Sequence, residues 1–318
     1  MKPFRARAHA FDIAVGFVIL FLPFLMGAVG GYTELATRIL VMGLAAMSLN
    51  FLLGFTGVLS FGHAAYFGLG AYGAAMAIKY LGSGTIPAIG LGVLVATLAA
   101  MIIGALIVRR RGVYFAMVTI AFGQVFYFLA FRWNTLTGGD DGLNGWHRMP
   151  IDLGFGTLDI FGNDKAFYYF VAVVFAVSAG AMAALLASPL GRTLIAIREN
   201  ERRARFLGVP IEFHIWLSFV ISCLFVSVAG SLYALLNNFT DPRALRFDLS
   251  GNLVIMAVLG GMRSFWGPLI GAAIFVALQD YVSSHTENWM SVIGLVFVAV
   301  VRFFPRGVLG MLRAGAKA

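Results

Sequence analysis

The sequence predicts an all-α, polytopic membrane protein of about ten transmembrane or half-membrane helices with both termini cytoplasmic, and three observations carry that prediction. Of its 318 residues 60% are hydrophobic and 12% charged, with a mean hydropathy of +0.90, whereas a water-facing surface needs roughly twice that share of charge. Continuously apolar runs rich in Leu, Ala, Gly, Val and Phe recur along nearly the whole length. They lack the alternation of a barrel strand, so helices of about 20 residues span the bilayer. The basic excess behind the net charge of +9 gathers in alternate connections, the pattern of cytoplasmic loops and not of a nucleic-acid footprint.

The first apolar segment, about 11–30, follows Lys2, Arg5 and Arg7. This looks like a signal peptide, but an uncleaved first span fits the topology better. Segments at 35–53, 64–80, 86–108 and 113–131 follow, the fourth ending at Arg109, Arg110 and Arg111. Within 64–80, Gly68, Gly70 and Gly73 match a dinucleotide-binding glycine pattern, yet no strand precedes them. Small residues at 62, 65, 68, 71 and 75 fit close helix packing in lipid instead. Further segments lie at 166–187, 213–236, 251–262, 268–284 and 288–304. The pair 251–262 and 268–284 is short and reads as half-spans, or a re-entrant pair broken at Gly260, Gly261, Gly267 and Pro268. With a cytoplasmic N-terminus, ten crossings put most Lys and Arg inside, while Arg38, Lys79, Arg132, Arg148, Lys165, Arg243 and Arg246 fall outside with most acids, Asp248 among them.

Two connections stand out within this single permease-like domain, 1–318. The external loop, 132–165, is rich in Gly and Asp and presents Asp140, Asp141 and Trp146 outward. It reads as a docking surface for an external protein or as a solvated turn. The cytoplasmic segment, 188–210, reads as one amphipathic helix from Arg192 to Phe206, ended by Gly208 and Pro210. Leu194, Ile195, Ile197 and Ala204, with Phe206 and Leu207, form its apolar side; Arg198, Glu199, Glu201, Arg202, Arg203 and Arg205 carry its charge. Such a helix fits a groove on a soluble partner, or the lipid headgroups.

Glycines and hydroxyls interrupt the apolar text from Gly54 to His63, the pattern of a broken segment lining a path. Asn50, Ser60, His63 and Gln124 are the translocation-path candidates, weighed against ordinary helix–helix hydrogen bonding and, for His63, an interfacial position. Ser60-Phe61 and Ser264-Phe265 each precede a Gly/Ala-rich helix, read as a trace of an internal repeat. The five histidines share no ligand spacing and Cys223 is single, so no metal site, catalytic residue or disulfide is expected. No phosphate-binding G-x-x-x-x-G-K-[ST] occurs, so any ATP hydrolysis falls to another chain.

Four blocks carry a resemblance: Asn50 to Ala75, with its Gly-x-x-Ser-x-Gly-His-Ala core; Thr137-Gly-Gly-Asp-Asp-Gly-Leu143; Gly191-Arg-Thr-Leu-x-Ala-Ile-Arg-Glu-Asn-Glu running to Gly208; and Gly260-Gly-Met-x-x-x-Trp266-Gly-Pro. Together they resemble LivM-type permeases of branched-chain amino acid ABC importers. The resemblance implies a LivH-like second permease subunit, two cytoplasmic LivG/LivF-like ATPase subunits using ATP and Mg, a periplasmic solute-binding protein, and no cofactor in this chain. It places the ATPase coupling contacts at Arg192, Arg198, Glu199, Glu201, Arg203, Ala204 and Gly208, with Phe206 in a more variable loop. Related permeases carry urea, short amides or other amino acids, so the substrate stays open between these. The rival class, an ion-coupled secondary transporter, needs mid-membrane carboxylates, and the sequence offers none well placed. An intramembrane enzyme lacks a nucleophile with its base.

Overall fold

The computed structural model describes residues 14–24, 32–152, 157–158, 163–303 and 307–309. The helices in chain order are α1 (Ala14–Phe24), α2 (Thr33–Thr56), α3 (His63–Leu81), α4 (Thr85–Ile107), α5 (Val113–Arg132), the single turn α6 (Asn134–Thr137), α7 (Asp164–Ala187), α8 (Pro189–Glu199), α9 (Glu201–Phe206), α10 (Ile211–Asn237), α11 (Phe247–Gly260), α12 (Gly267–Ser283) and α13 (Trp289–Phe303). Each of the ten apolar segments holds a helix; the first is described only over 14–24, and the ends of the other nine fall within about four residues of the sequence reading. A two-residue antiparallel pair, Ile151–Asp152 with Thr157–Leu158, is the sheet among the described residues. The expected start of the first segment and both chain termini, including their cytoplasmic assignment, lie outside the described residues.

Helices α2, α4, α5, α7 and α10 are long and apolar enough to cross a bilayer, so the chain is a multi-pass membrane protein. Nearly all of α2 and most of α10 are buried, whereas α4, α5 and α7 turn most of their residues outward. The bundle is therefore built around α2 and α10, with α3 and α4 packed on α10, and α7 and α12 on α2.

Small residues permit that packing. A Cβ on Gly230 of α10 would lie 1.9 Å from the Phe67 carbonyl, and one on Gly73 of α3 would lie 2.6 Å from Gly92 of α4. Of the glycines that imitate a nucleotide loop, Gly70 and Gly73 are thus helix contacts on α10 and α4, where backbones approach in a way larger residues forbid, and Gly68 meets Leu245 of the connection after α10.

Connections sort to two ends. Residues 57–62, 108–112, 188–210 and 261–266 converge at the arginine-rich end, where Arg198 bonds the Gly54 carbonyl and Arg111 pairs with Glu201. At the opposite end Tyr32 bonds Asp280, Tyr80 bonds the Leu136 carbonyl, and Leu143 pairs with Thr240. Successive crossings therefore alternate as the charge pattern requires.

Three connections reach inward. Ser222, the partner of His63 at the start of α3, lies about 16 Å along α10 from Ile211. Residues 261–266 run along α2, where Gly54 and Asn50 face Met262 and Ser264. The chain after α10 descends beside α3: Thr240 pairs with Leu143, Leu245 packs on Gly68, and the Ser250 hydroxyl accepts from the Ala64 amide at 2.8 Å. With 14 residues, about 21 Å, α11 starts at that depth and is a half-span.

The expected single helix from Arg192 to Phe206 is two. Asn200 takes extended backbone (φ −159°, ψ 95°) and its side chain accepts from the Arg203 amide, capping α9. Asn supplies a cap oxygen while competing with the preceding helix, which is why the break falls there.

Candidate functional site

Ser60 and His63 come together in a closed polar cluster. His63 is fully buried, its Nδ1 3.0 Å from the Ser60 hydroxyl and its Nε2 2.7 Å from that of Ser222. Ser222 donates its own proton to the Ser48 carbonyl, so its oxygen accepts from His63 Nε2–H. Nδ1 is then the acceptor for Ser60 O–H, and the ring is neutral with every site filled. Ser60 and His63, both expected along the path, are thus buried in a cluster that ties α2, α3 and α10 together. Asn50 is likewise buried, donating to the Ser264 carbonyl at 3.2 Å, while its Oδ1 has no partner among the described residues. Gln124 stands apart, on an outward groove of α5 of about 630 Å³ with Val125, Phe128 and Arg132.

At the arginine-rich end, α8 and α9 are fastened from both sides. Beneath them Val108, Ile197, Ala204, Ile211 and Ile215 form a small apolar cluster. Around it Arg111 lies 3.4 Å from Glu201 and 3.5 Å from Glu212, and Arg205 lies 3.1 Å from each of the same carboxylates. An exposed pair contributes about 0.2–1 kcal/mol, but this four-charge network joins α9, the α4–α5 connection and the first turn of α10. Arg198 and Glu201 therefore bind the chain to itself. Ala204, at 3% exposure, packs in this cluster. Arg192, Glu199, Arg203 and Gly208 are exposed, and the tip carries Phe206 and Leu207 at 91% and 78% exposure. A cavity of about 560 Å³ opens between this platform, Gly57 and Gly112.

At the opposite end Asp140 and Asp141 are exposed on a single 3-10 turn. Trp146 is buried, with Nε1 donating to the Leu143 carbonyl at 3.1 Å. The residue that organises the loop, Arg148, was not singled out by sequence. It is 6% exposed, 3.3 Å from Asp164 and 4.3 Å above the Phe167 ring. Its amide donates to the Asn238 side chain, whose residue caps α10 in a left-handed conformation.

Sequence also missed the charges between α10 and α11. Asp241 and Arg243 lie 3.8 Å apart, and Arg246 and Asp248 3.2 Å apart. Burial holds the Asp241 carboxyl above its ordinary range, against the opposing pull of Arg243. The topology reading had put Arg246 and Asp248 in an outer connection. The structure carries them inward with the start of α11, so a carboxylate does stand at depth. Only the descent past α3 reveals this, and no local pattern encodes it.

Comparison with known proteins agrees with this architecture. The family described as branched-chain amino acid transport system / permease component matches residues 14–301. The chain is 29% identical over 329 residues to the high-affinity branched-chain amino acid transport system permease protein LivM of Salmonella typhimurium, covering 98% of this chain and 77% of that protein. LivM of Escherichia coli gives 29% over 332 residues with the same coverage. LivH of Escherichia coli is 33% identical over 147 residues, 44% of this chain and 47% of that protein. No solved structure gives a significant match. With the match running through every described transmembrane helix, the chain belongs to the family of branched-chain amino acid transport permease components.

Proposed function

We propose that this chain is the LivM-like permease subunit of an ATP-driven importer that moves branched-chain amino acids, or a related small polar solute, across the bacterial inner membrane. The observation that carries the ATP-driven reading is the α8–α9 platform. Its inner side is fixed by a buried apolar cluster and a four-charge network, and its outer side offers Phe206 and Leu207 to solvent beside Glu199 and Arg203. Apolar anchors flanked by both signs of charge suit a groove on a soluble partner. A surface so fastened transmits a push into α2 through Arg198 and Gly54, and into α4 and α5 through Arg111.

In this reading the arginine-rich end and both termini are cytoplasmic, in line with the positive-inside rule. Two LivG/LivF-like ATPase subunits, which bind ATP and Mg, dock on the platform. A LivH-like permease covers outward-facing helices, and a periplasmic binding protein meets the end bearing Asp140 and Asp141. ATP binding closes the ATPases, and the two permeases rock between inward- and outward-open states. Asp248 gives the ion-coupled rival a carboxylate at depth, but Arg246 already pairs with it.

The test is reconstitution with the four partner proteins. Leucine uptake must require ATP and all partners, and replacing Phe206 and Leu207 with Asp must abolish co-purification of the ATPases from a permease pair that still assembles. Uptake by this chain alone under an ion gradient overturns the proposal.

A further inference from the structure

The descent of residues 238–248 leaves an ion pair where lipid cannot accept one. Leu245 packs on Gly68 and Ser250 meets Ala64, so Arg246 and Asp248 lie beside the first two turns of α3. From Gly68 to the far end of α3 at Leu81 is about 20 Å of helix, and the His63–Ser222 contact lies about 16 Å from the other end of α10. The pair is thus near the middle of a hydrocarbon core about 30 Å thick. It is only partly enclosed: Asp248 Oδ1, which faces Arg246, is buried, but the side chains of Arg246 and Asp248 are 50% and 46% exposed, and Phe247 between them is 51% exposed. An arginine side chain extends only about 7 Å, too short to reach either interface by snorkelling. Charge exposed at this depth needs water or a polar occupant.

The pair also continues a charged strip. Asp241 and Arg243 stand above it on the same descent, Arg243 at 83% exposure, and Gly142 brings the turn bearing Asp140 and Asp141 against Thr240 and Asp241. A polar solute entering at that end meets both signs of charge down to mid-membrane.

We infer that Arg246 and Asp248 line a water-filled stretch of the translocation path and form a site for a zwitterionic amino acid, Arg246 facing the α-carboxylate and Asp248 the α-ammonium. This rests on the transport reading for its ligand, though not for its water. The two groups are held apart by one residue at the start of α11, so a zwitterion can exchange with their mutual contact without leaving either charge unpaired.

The experiment uses the full reconstituted transporter with Cys223→Ala and a single added cysteine. Phe247→Cys reacts with a charged, membrane-impermeant methanethiosulfonate at least about tenfold faster than Leu98→Cys on the outward face of α4, because thiolate forms in water and not in lipid. Leucine slows that reaction more than leucinamide, which lacks the carboxylate, or 4-methylpentanoate, which lacks the ammonium. Arg246→Gln and Asp248→Asn each lower leucine uptake at least about tenfold while ATPase stimulation by the binding protein persists. Equal labelling at the two cysteine positions overturns the aqueous placement. Full uptake in the exchanged pair, Arg246→Asp with Asp248→Arg, assigns the pair a structural role and overturns the site. If the intact wild-type assembly takes up no leucine although Phe247→Cys labels, the transport reading and the zwitterion assignment fail, and the aqueous placement survives.

Discussion

The Nε2 of His63 donates to the hydroxyl of Ser222 across 2.7 Å, joining the first residue of α3 to the middle of α10. Because Ser222 passes its proton on to Ser48, the three helices share one directional chain of hydrogen bonds. His63→Ala leaves the Ser60 and Ser222 hydroxyls short of a partner in a buried site, at a cost of about 1–3 kcal/mol. Thermal unfolding in detergent should show His63→Ala and Ser222→Ala each lowering stability, with the double variant losing less than their sum. Strict additivity would show that the contact carries no coupling.

Glu199 and Glu201 separate into two roles. Glu201 holds Arg111 and Arg205, so Glu201→Lys crowds a third cation among them and loosens α9. Glu199 is exposed and joins no ion pair among the described residues. Glu199→Lys should therefore weaken ATPase binding with unchanged thermal stability, whereas Glu201→Lys should lower both. Loss of stability in Glu199→Lys, measured on the isolated permease pair, sinks this division of labour.

The ten helices and their alternation were legible because lipid demands long apolar runs, and those runs appear directly in the text of the chain. Gly260 and Pro268 also marked the α11–α12 break correctly. What sequence could not show is direction. Ala204, which the resemblance placed among the coupling contacts, and Trp146, which its loop suggested as an outward residue, are both buried, because burial depends on which face of a short element meets the bundle. His63 and Asn50 were polar in an apolar setting, and only Ser222 and Ser264, more than 150 positions away, reveal that the chain satisfies both ring nitrogens of His63 with the help of Ser60 but only the amide N–H of Asn50. Arg246 and Asp248 were misplaced for a related reason: charge in a connection reads as surface unless the connection dives.

Backbone proximity at Gly230 gives a sharper packing prediction. Any Cβ there falls against the Phe67 carbonyl, which belongs to α3 and cannot move like a side-chain tip. Gly230→Val should cost about 3 kcal/mol or more, beyond the range usual for overpacking a core, and abolish a monodisperse detergent-solubilised peak. Gly180→Ala on α7, where nothing lies within 4 Å, should elute as wild type. Equal behaviour of the two variants would mean that α3 and α10 do not approach as described.

Tyr32, just before α2, donates its phenol proton to Asp280 of α12 at 2.6 Å. The hydrogen bond to that carboxylate, aided by partial burial and by its negative charge, pushes the Tyr32 hydroxyl up to about 12. An unfolded tyrosine titrates near 10, so the folded state holds this proton more tightly. The tie between α2 and α12 is therefore fully present below about pH 10 and is lost as pH rises through about 12. Tyrosinate absorbance of wild type minus Tyr32→Phe isolates this group among the ten tyrosines. Its midpoint should stand near 12 and fall toward 10 when Asp280→Asn removes the carboxylate. A difference curve centred near 10 with Asp280 intact would mean that the two helices are not joined at this end.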